Sequence, residues 1–274
     1  VQDNVQKSLD KSQEEIEFQR SIRTTLATKL DTYACHDLTL QESTEVMRND
    51  THTFRGNRKN TIEVGVYHDR SNSQIMYIAN AITPQQCQAF TDLTSSDELA
   101  TATSNVKVVN VPYATSTRKQ KGAIQKWINH MVDLTHTIMT TSNHQELQLQ
   151  LEEDTIVSME YQKADNDNDD DDDGSEEPYQ SLPQDRVATM TVYCQVAEKG
   201  GAASFSQAGG IHIQPTVGSV VLTTYDSAKD NAQDEEEEEE EHSSHKDLYT
   251  QQHECPVVEG SKHTVTFHMR RIPS

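Results

Sequence analysis

Residues 251–262 read QQHECPVVEGSK and place one histidine, two glutamates, a cysteine and a lysine within twelve positions. Imidazole and carboxylate together form the donor set of many transition-metal sites, so the first question is whether His253 and the acids near it ligate a metal. Two triplets of the form His-x-acid also occur, HQE at 144–146 and HKD at 245–247. With twelve histidines in the chain such triplets are expected by chance, so they carry little weight as ligands. A different cation chemistry is offered by DDDDDG at 169–174, which has the aspartates and glycine that open a calcium-binding loop. Its twelfth position is Gln180, where such a loop needs a bidentate glutamate. A solvated loop is the expectation there, and Ca2+ binding at the acidic runs is the alternative.

The elements that must position these groups change character along the chain. Val5, Leu9, Ile16, Phe18, Ile22, Leu26 and Leu30 lie among polar residues, with four-residue steps from 18 to 30 that predict an amphipathic helix. Residues 33–60 are polar and poorly periodic, carry the turn pair Gly56 and Asn57, and are expected to be a linking loop. QIMYIANAITPQQCQAF, at 74–90, predicts a buried strand followed by a helix capped by Thr83, with Pro84 at its first position. GAIQKWINHMVDLTHTI, at 122–138, predicts a second helix with Ile124, Trp127, Ile128, Met131 and Leu134 on one face. From residue 148 onward the runs LQLQLEEDTIVSMEYQ, VATMTVYCQV, GGIHIQP, SVVLTTY and KHTVTFHMR are short, rich in Val, Thr, Ile and Tyr, and separated by Gly, Pro or charge. They predict an antiparallel sandwich or barrel on which the helices pack.

The 274 residues are enough to bury a full core, and one large domain with a helical lead-in is expected rather than two equal ones. The formal charge of −22 is concentrated in two inserts, 165–177 and 230–241, each holding nine acids, and without them the balance falls to −4. Like-charge blocks of this density have no apolar side chains to bury, and their field repels nucleic acid and anionic membranes. No apolar run approaches the length of a membrane span. Cys35, Cys87, Cys194 and Cys255 are compatible with two disulfides without requiring them, and Asn49-Asp-Thr51 is a glycosylation sequon in a polar stretch. With a chain that starts at Val1 and not Met, these signs lead to an expected location in the secretory pathway or outside the cell, an organelle lumen being the alternative.

RVATMTVYCQVAEKGGAASF, IHIQPTVGSVVLTTY and CPVVEGSK occur in that order. Together with the strand and helix at 74–90, they resemble the prolyl 4-hydroxylase family of iron(II) and 2-oxoglutarate dioxygenases over about 190 residues. Arg186, Ala188, Thr189, Tyr193, Gly200, Gly201 and Phe205 match one family motif, and Pro215, Gly218 and Leu222 a second. Cys255, Pro256, Val257, Gly260 and Lys262 match the last, H-x-x-C-P-V-x-x-G-x-K-W. The resemblance implies an α+β fold: a double-stranded β-helix, or jelly roll, over 71–274, with N-terminal supporting helices and a lead-in over 1–70.

It also implies a site. In this family iron(II) is held by a His-x-Asp/Glu pair on one strand and a distal histidine on another, and a basic residue ten places beyond that histidine takes the far carboxylate of 2-oxoglutarate. The distal position here is Gln252, and Lys262 stands ten places after it. Tyr161 and Lys262 are therefore expected to mark a vestigial 2-oxoglutarate site. No histidine lies between Tyr161 and Arg186, where the ligand pair should stand, and the final family tryptophan is His263. Adjacent strand residues point to opposite faces, so His253, one place out of register, is expected to aim out of the barrel.

The expected function is a catalytically silent module that needs no cofactor and no metal, and acts through a protein partner or self-assembly. The alternative is an active peptidyl-proline hydroxylase with Fe(II), 2-oxoglutarate and a proline-containing peptide as substrate, its ligands drawn from Asp165, Asp167 and His253. A calcium-responsive acidic protein is the third reading.

Overall fold

A computed structural model describes residues 33–53, 61–70, 73–94, 100–102, 106–111, 131–139, 149–151, 156–162, 186–225 and 248–271, together with Lys11, Phe18, Ile22, Leu26, Lys29, Ile128 and Asn129. In chain order it comprises β1 (Arg48–Thr53), β2 (Thr61–Arg70), β3 (Ser73–Ile78), α1 (Pro84–Thr94), β4 (Ala100–Ala102) and β5 (Val106–Val111). A second helix, α2, runs over 131–139 and includes 128–129. It is followed by β6 (Leu149–Leu151), β7 (Ile156–Gln162), β8 (Arg186–Gln195), β9 (Lys199–Gly200) and β10 (Ala203–Phe205). The last strands are β11 (Ile211–Ile213), β12 (Ser219–Tyr225), β13 (His253–Glu254), β14 (Val257–Glu259) and β15 (Ser261–Arg271).

Among the described residues every strand pairing is antiparallel. One large sheet has the order β1-β2-β3-β12-β8-β15-β7-β5-β4, with β6 also on β15, while β11-β10-β13 and β14-β9 form two small sheets. From β8 onward the chain alternates between large and small sheets: β8, then β9 to β11, then β12, then β13 and β14, then β15. That alternation is the winding of a double-stranded β-helix, and the jelly-roll expectation holds.

Strand parity explains how these sequences supply two cores. Ala188, Met190 and Val192 of β8, Val220 and Leu222 of β12, and Val265, Phe267 and Met269 of β15 pack with Phe90 of α1 and with Ile128, Met131, Leu134 and Ile138 of α2. The opposite side places Tyr193, Val221 and Ile75 against Ala203, Phe205, Ile211 and Ile213 of the small sheet. Thr83 caps α1 as expected: its Oγ1 accepts from the Gln86 amide at 3.3 Å, while Gln86 Oε1 accepts from the Thr83 amide at 2.8 Å. This reciprocal capping box satisfies two amides that the first turn leaves without helical acceptors.

The linking-loop expectation for 33–60 needs correction. β1 lies inside it and pairs in register with β2 from Arg48↔Val66 to Thr53↔Thr61. RNDTHT has no apolar alternation because β1 is the outermost strand of the large sheet and is held by its backbone ladder. Upstream, Thr44 and Ser43 hydroxyl oxygens accept from the amides of His212 and Gln214, each at 2.9 Å, so this segment also seals the edge of β11. Two disulfides settle the cysteine question. Cys35 bonds Cys255 across 220 residues, and Cys87 of α1 bonds Cys194 of β8.

Of the expected N-terminal helix, the described positions Lys11, Phe18, Ile22, Leu26 and Lys29 are helical. Ile124, Trp127 and both acidic inserts lie outside the described residues, as do the triplets at 144–146 and 245–247. Among the described residues no helix is long and apolar enough to cross a membrane.

Candidate functional site

β15 sends Val265, Phe267 and Met269 toward the helices, so Lys262 on the other parity points into the barrel, where none of it is exposed. Its strand neighbour on β7 is Tyr161, whose ring centroid lies 4.6 Å from the ammonium. The ammonium donates to Glu254 Oε2 at 2.6 Å and to the Gly201 carbonyl at 3.0 Å. The second carboxylate oxygen, Glu254 Oε1, accepts from the Tyr193 hydroxyl at 2.8 Å and also from Gln252 Nε2. Gln252 Nε2 further donates to the Tyr193 oxygen at 3.0 Å. An isolated ammonium in such a place would be strongly disfavoured, and a well-placed carboxylate with further donors offsets the loss of water.

The turn and strand around this cluster set its reach. Gly201 has φ +70°, and a Cβ there would lie 3.3 Å from Lys262 Cδ, so the second glycine of the EKGG turn is needed both for its backbone and for the lysine stem beside it. The Gly201 amide donates to the Pro256 carbonyl at 3.0 Å and the Cys255 amide to the Ala202 carbonyl at 2.9 Å. With Ala203↔Glu254 paired between β10 and β13, these bonds fix the strand that carries Glu254. The Cys35 disulfide anchors the next residue. Burial first, and the adjacent Glu254 charge second, hold the Tyr193 phenol well above its usual range, so it remains a hydrogen-bond donor.

The expected site residues divide into three groups. Lys262, Tyr161 and Gln252 are brought to one cluster, whose polar centre is Glu254. His253 is half-buried on β13, and strand alternation turns it away from the side on which Gln252 and Glu254 face Tyr193. Asp165 and Asp167 lie outside the described residues. His263, at the position of the family tryptophan, faces the helix layer, with Nδ1 3.4 Å from Thr91 Oγ1 of α1. Its imidazole is pushed below its usual range by burial, partly opposed by Glu160.

Glu254 and Tyr193 are the residues that sequence reasoning did not single out for the site. A signal existed for Glu254, since it shares inward parity with Gln252 and its acid lies close in sequence to a lysine expected inside a barrel. Tyr193 belongs to a recognised motif but reads there as an ordinary core position.

The iron implied by the resemblance does not fit the described donors. Among the described residues no group of three His, Cys, Asp or Glu side chains could hold a metal ion. Gln252, expected at the distal position, has its amide nitrogen committed to Tyr193 and Glu254. 2-Oxoglutarate meets a similar conflict, because the ammonium that would take its carboxylate already holds one.

No family model and no curated protein matches the sequence. Solved structures do resemble it. The 2OG complex of the viral collagen prolyl hydroxylase of Paramecium Bursaria Chlorella virus-1 has 18% identity and a TM-score of 0.46, covering 73% of this chain and 96% of its own. A truncated form of the same enzyme has 17% identity and a TM-score of 0.48, with coverage of 73% and 90%. An oxidoreductase of the 2OG-Fe(II) oxygenase family from Burkholderia pseudomallei has 9% identity and a TM-score of 0.45, with coverage of 72% and 84%. The fold assignment rests on the strand order itself.

Proposed function

We propose that the chain is a catalytically silent double-stranded β-helix that works as a structural or binding module. The observation that carries this reading is the Lys262–Glu254 pair. The cation expected to anchor a cosubstrate is neutralised from within the chain, and Gln252 donates into the same cluster. Fold does not fix function, and a jelly roll kept for packing and assembly can dispense with turnover. Anaerobic titration of the purified protein with iron(II) and 2-oxoglutarate is expected to give no saturable charge-transfer band and, in air with proline-containing peptides, no succinate. A band together with succinate formation coupled to peptide oxidation establishes the hydroxylase reading instead. For the acidic runs, an unchanged Tm in millimolar calcium is expected, and a calcium-dependent rise supports the third reading.

We read the module as a resident of the secretory pathway or the extracellular space that meets a protein partner or a second copy of itself. Two disulfides support an oxidising compartment. Asn49 is exposed on the outermost strand β1, where a glycan can be accommodated. Phe18 and Leu26, eight residues apart on helical positions, are 59% and 52% exposed, which supports a contact role for the N-terminal segment. Expression through a eukaryotic secretory system should yield a glycan mass on Asn49 that disappears in Thr51→Ala; an unglycosylated secreted product removes this support.

A further inference from the structure

We infer that Glu254 is a tethered ligand: its carboxylate fills a carboxylate-binding pocket that is otherwise complete in the chain. This rests on the silent reading and deepens it, by naming what closes the site and what the emptied site would take.

The pocket walls come from four separate places, namely Lys262 of β15, Tyr161 of β7, Tyr193 of β8 and the carbonyl of Gly201. Glu254 arrives from a fifth, the two-residue strand β13. Every group that meets its two oxygens is a donor. Lys262 Nζ serves Oε2, while Tyr193 Oη and Gln252 Nε2 serve Oε1. The Gly201 carbonyl takes a further ammonium proton and orients the cation. Lys262 and Tyr193 are fully buried, and the ammonium keeps the Gly201 carbonyl as an acceptor when the glutamate is removed. Three converging donors with one positive charge, two of them fully buried, form a receptor for a single carboxylate. Truncation at Cβ removes Cγ and the carboxyl group, which is the outline of acetate. The emptied site therefore takes a small monocarboxylate, bound through its two oxygens by the same three donors.

The test is thermal unfolding of full-length Glu254→Ala in acetate and in chloride at equal ionic strength and pH. Acetate is expected to raise Tm by several degrees in a saturable manner. Wild type, whose pocket is filled, and the double variant Glu254→Ala/Lys262→Met, which lacks the cation, are expected to show no such rise. An equal response to chloride, a response retained in the double variant, or no response in Glu254→Ala overturns the inference.

A second variant covers the case in which Glu254→Ala does not fold. Glu254→Gln keeps the shape and removes the charge; it is expected to melt several degrees below wild type and to ignore acetate, and a Tm equal to that of wild type overturns the inference. The silent reading fails on a different signal, an iron and 2-oxoglutarate band in wild type, so the two ideas can fail separately.

Discussion

On the side of β8, β12 and β15 covered by α1 and α2, the side chains are Ala188, Met190, Val192, Val220, Leu222, Val265, Phe267 and Met269, all essentially unexposed. On the side covered by the small sheet, the same strands present Thr191, Tyr193, Val221, Thr223, Lys262 and Thr264, which are also buried. The two faces thus remove similar positions from water by different means. The helix face depends on apolar area and close packing, whose contributions are non-directional and scale with the volume removed. The barrel face depends near its mouth on directional bonds around Glu254, where removing one partner strands the others. A substitution on the first face costs in proportion to size, whereas on the second it costs according to what is left unpaired.

Four variants sharpen that contrast, beginning with the largest effect. Phe267→Ala, which removes a ring packed edge-on against Phe90 at 5.6 Å, should cost about 4 kcal/mol in denaturant unfolding. Lys262→Met keeps the apolar stem but leaves Glu254 without its cation, and a loss of about 3 kcal/mol is expected by the same measurement. A cost below that of an exposed charge substitution would remove the distinction between the two faces. Gly201→Ala, with its left-handed backbone and the lysine stem at 3.3 Å, should lose about 1–2 kcal/mol.

The smallest effect is a pH slope. Because the Tyr193 phenol is raised in the folded state, the folded chain keeps a proton that the unfolded chain releases above about pH 10. This contribution is complete below the unfolded value and is lost as pH rises through the folded one. Tyr193→Phe should therefore show a shallower fall of Tm between roughly pH 9.5 and pH 11 than wild type. Parallel curves would count against burial as the cause.

Much of this was legible from residue order. The Val- and Thr-rich runs at 156–162, 186–195, 219–225 and 261–271 became strands because period-two alternation needs no distant partner to be recognised. The Thr83–Pro84 start of α1 is local chemistry and was equally visible. The face of α2 was legible through Ile128, Met131 and Leu134 because a 3.6-residue repeat records which side is buried. β1 was not, since RNDTHT on a sheet edge obeys its backbone ladder and carries no buried stripe.

By itself the sequence determined where the later strands run, which of their faces are apolar, and that a glutamine stands ten places before Lys262. Only the tertiary structure decided that Cys35 reaches Cys255, and that Lys262 meets Glu254 through the β13–β10 register and the Gly200–Gly201 turn. The physical reason is range. Periodicity and capping are fixed within a few residues of the chain, whereas the partner of a buried charge is chosen by how sheets close on each other, and that closure depends on pairings between segments far apart in sequence.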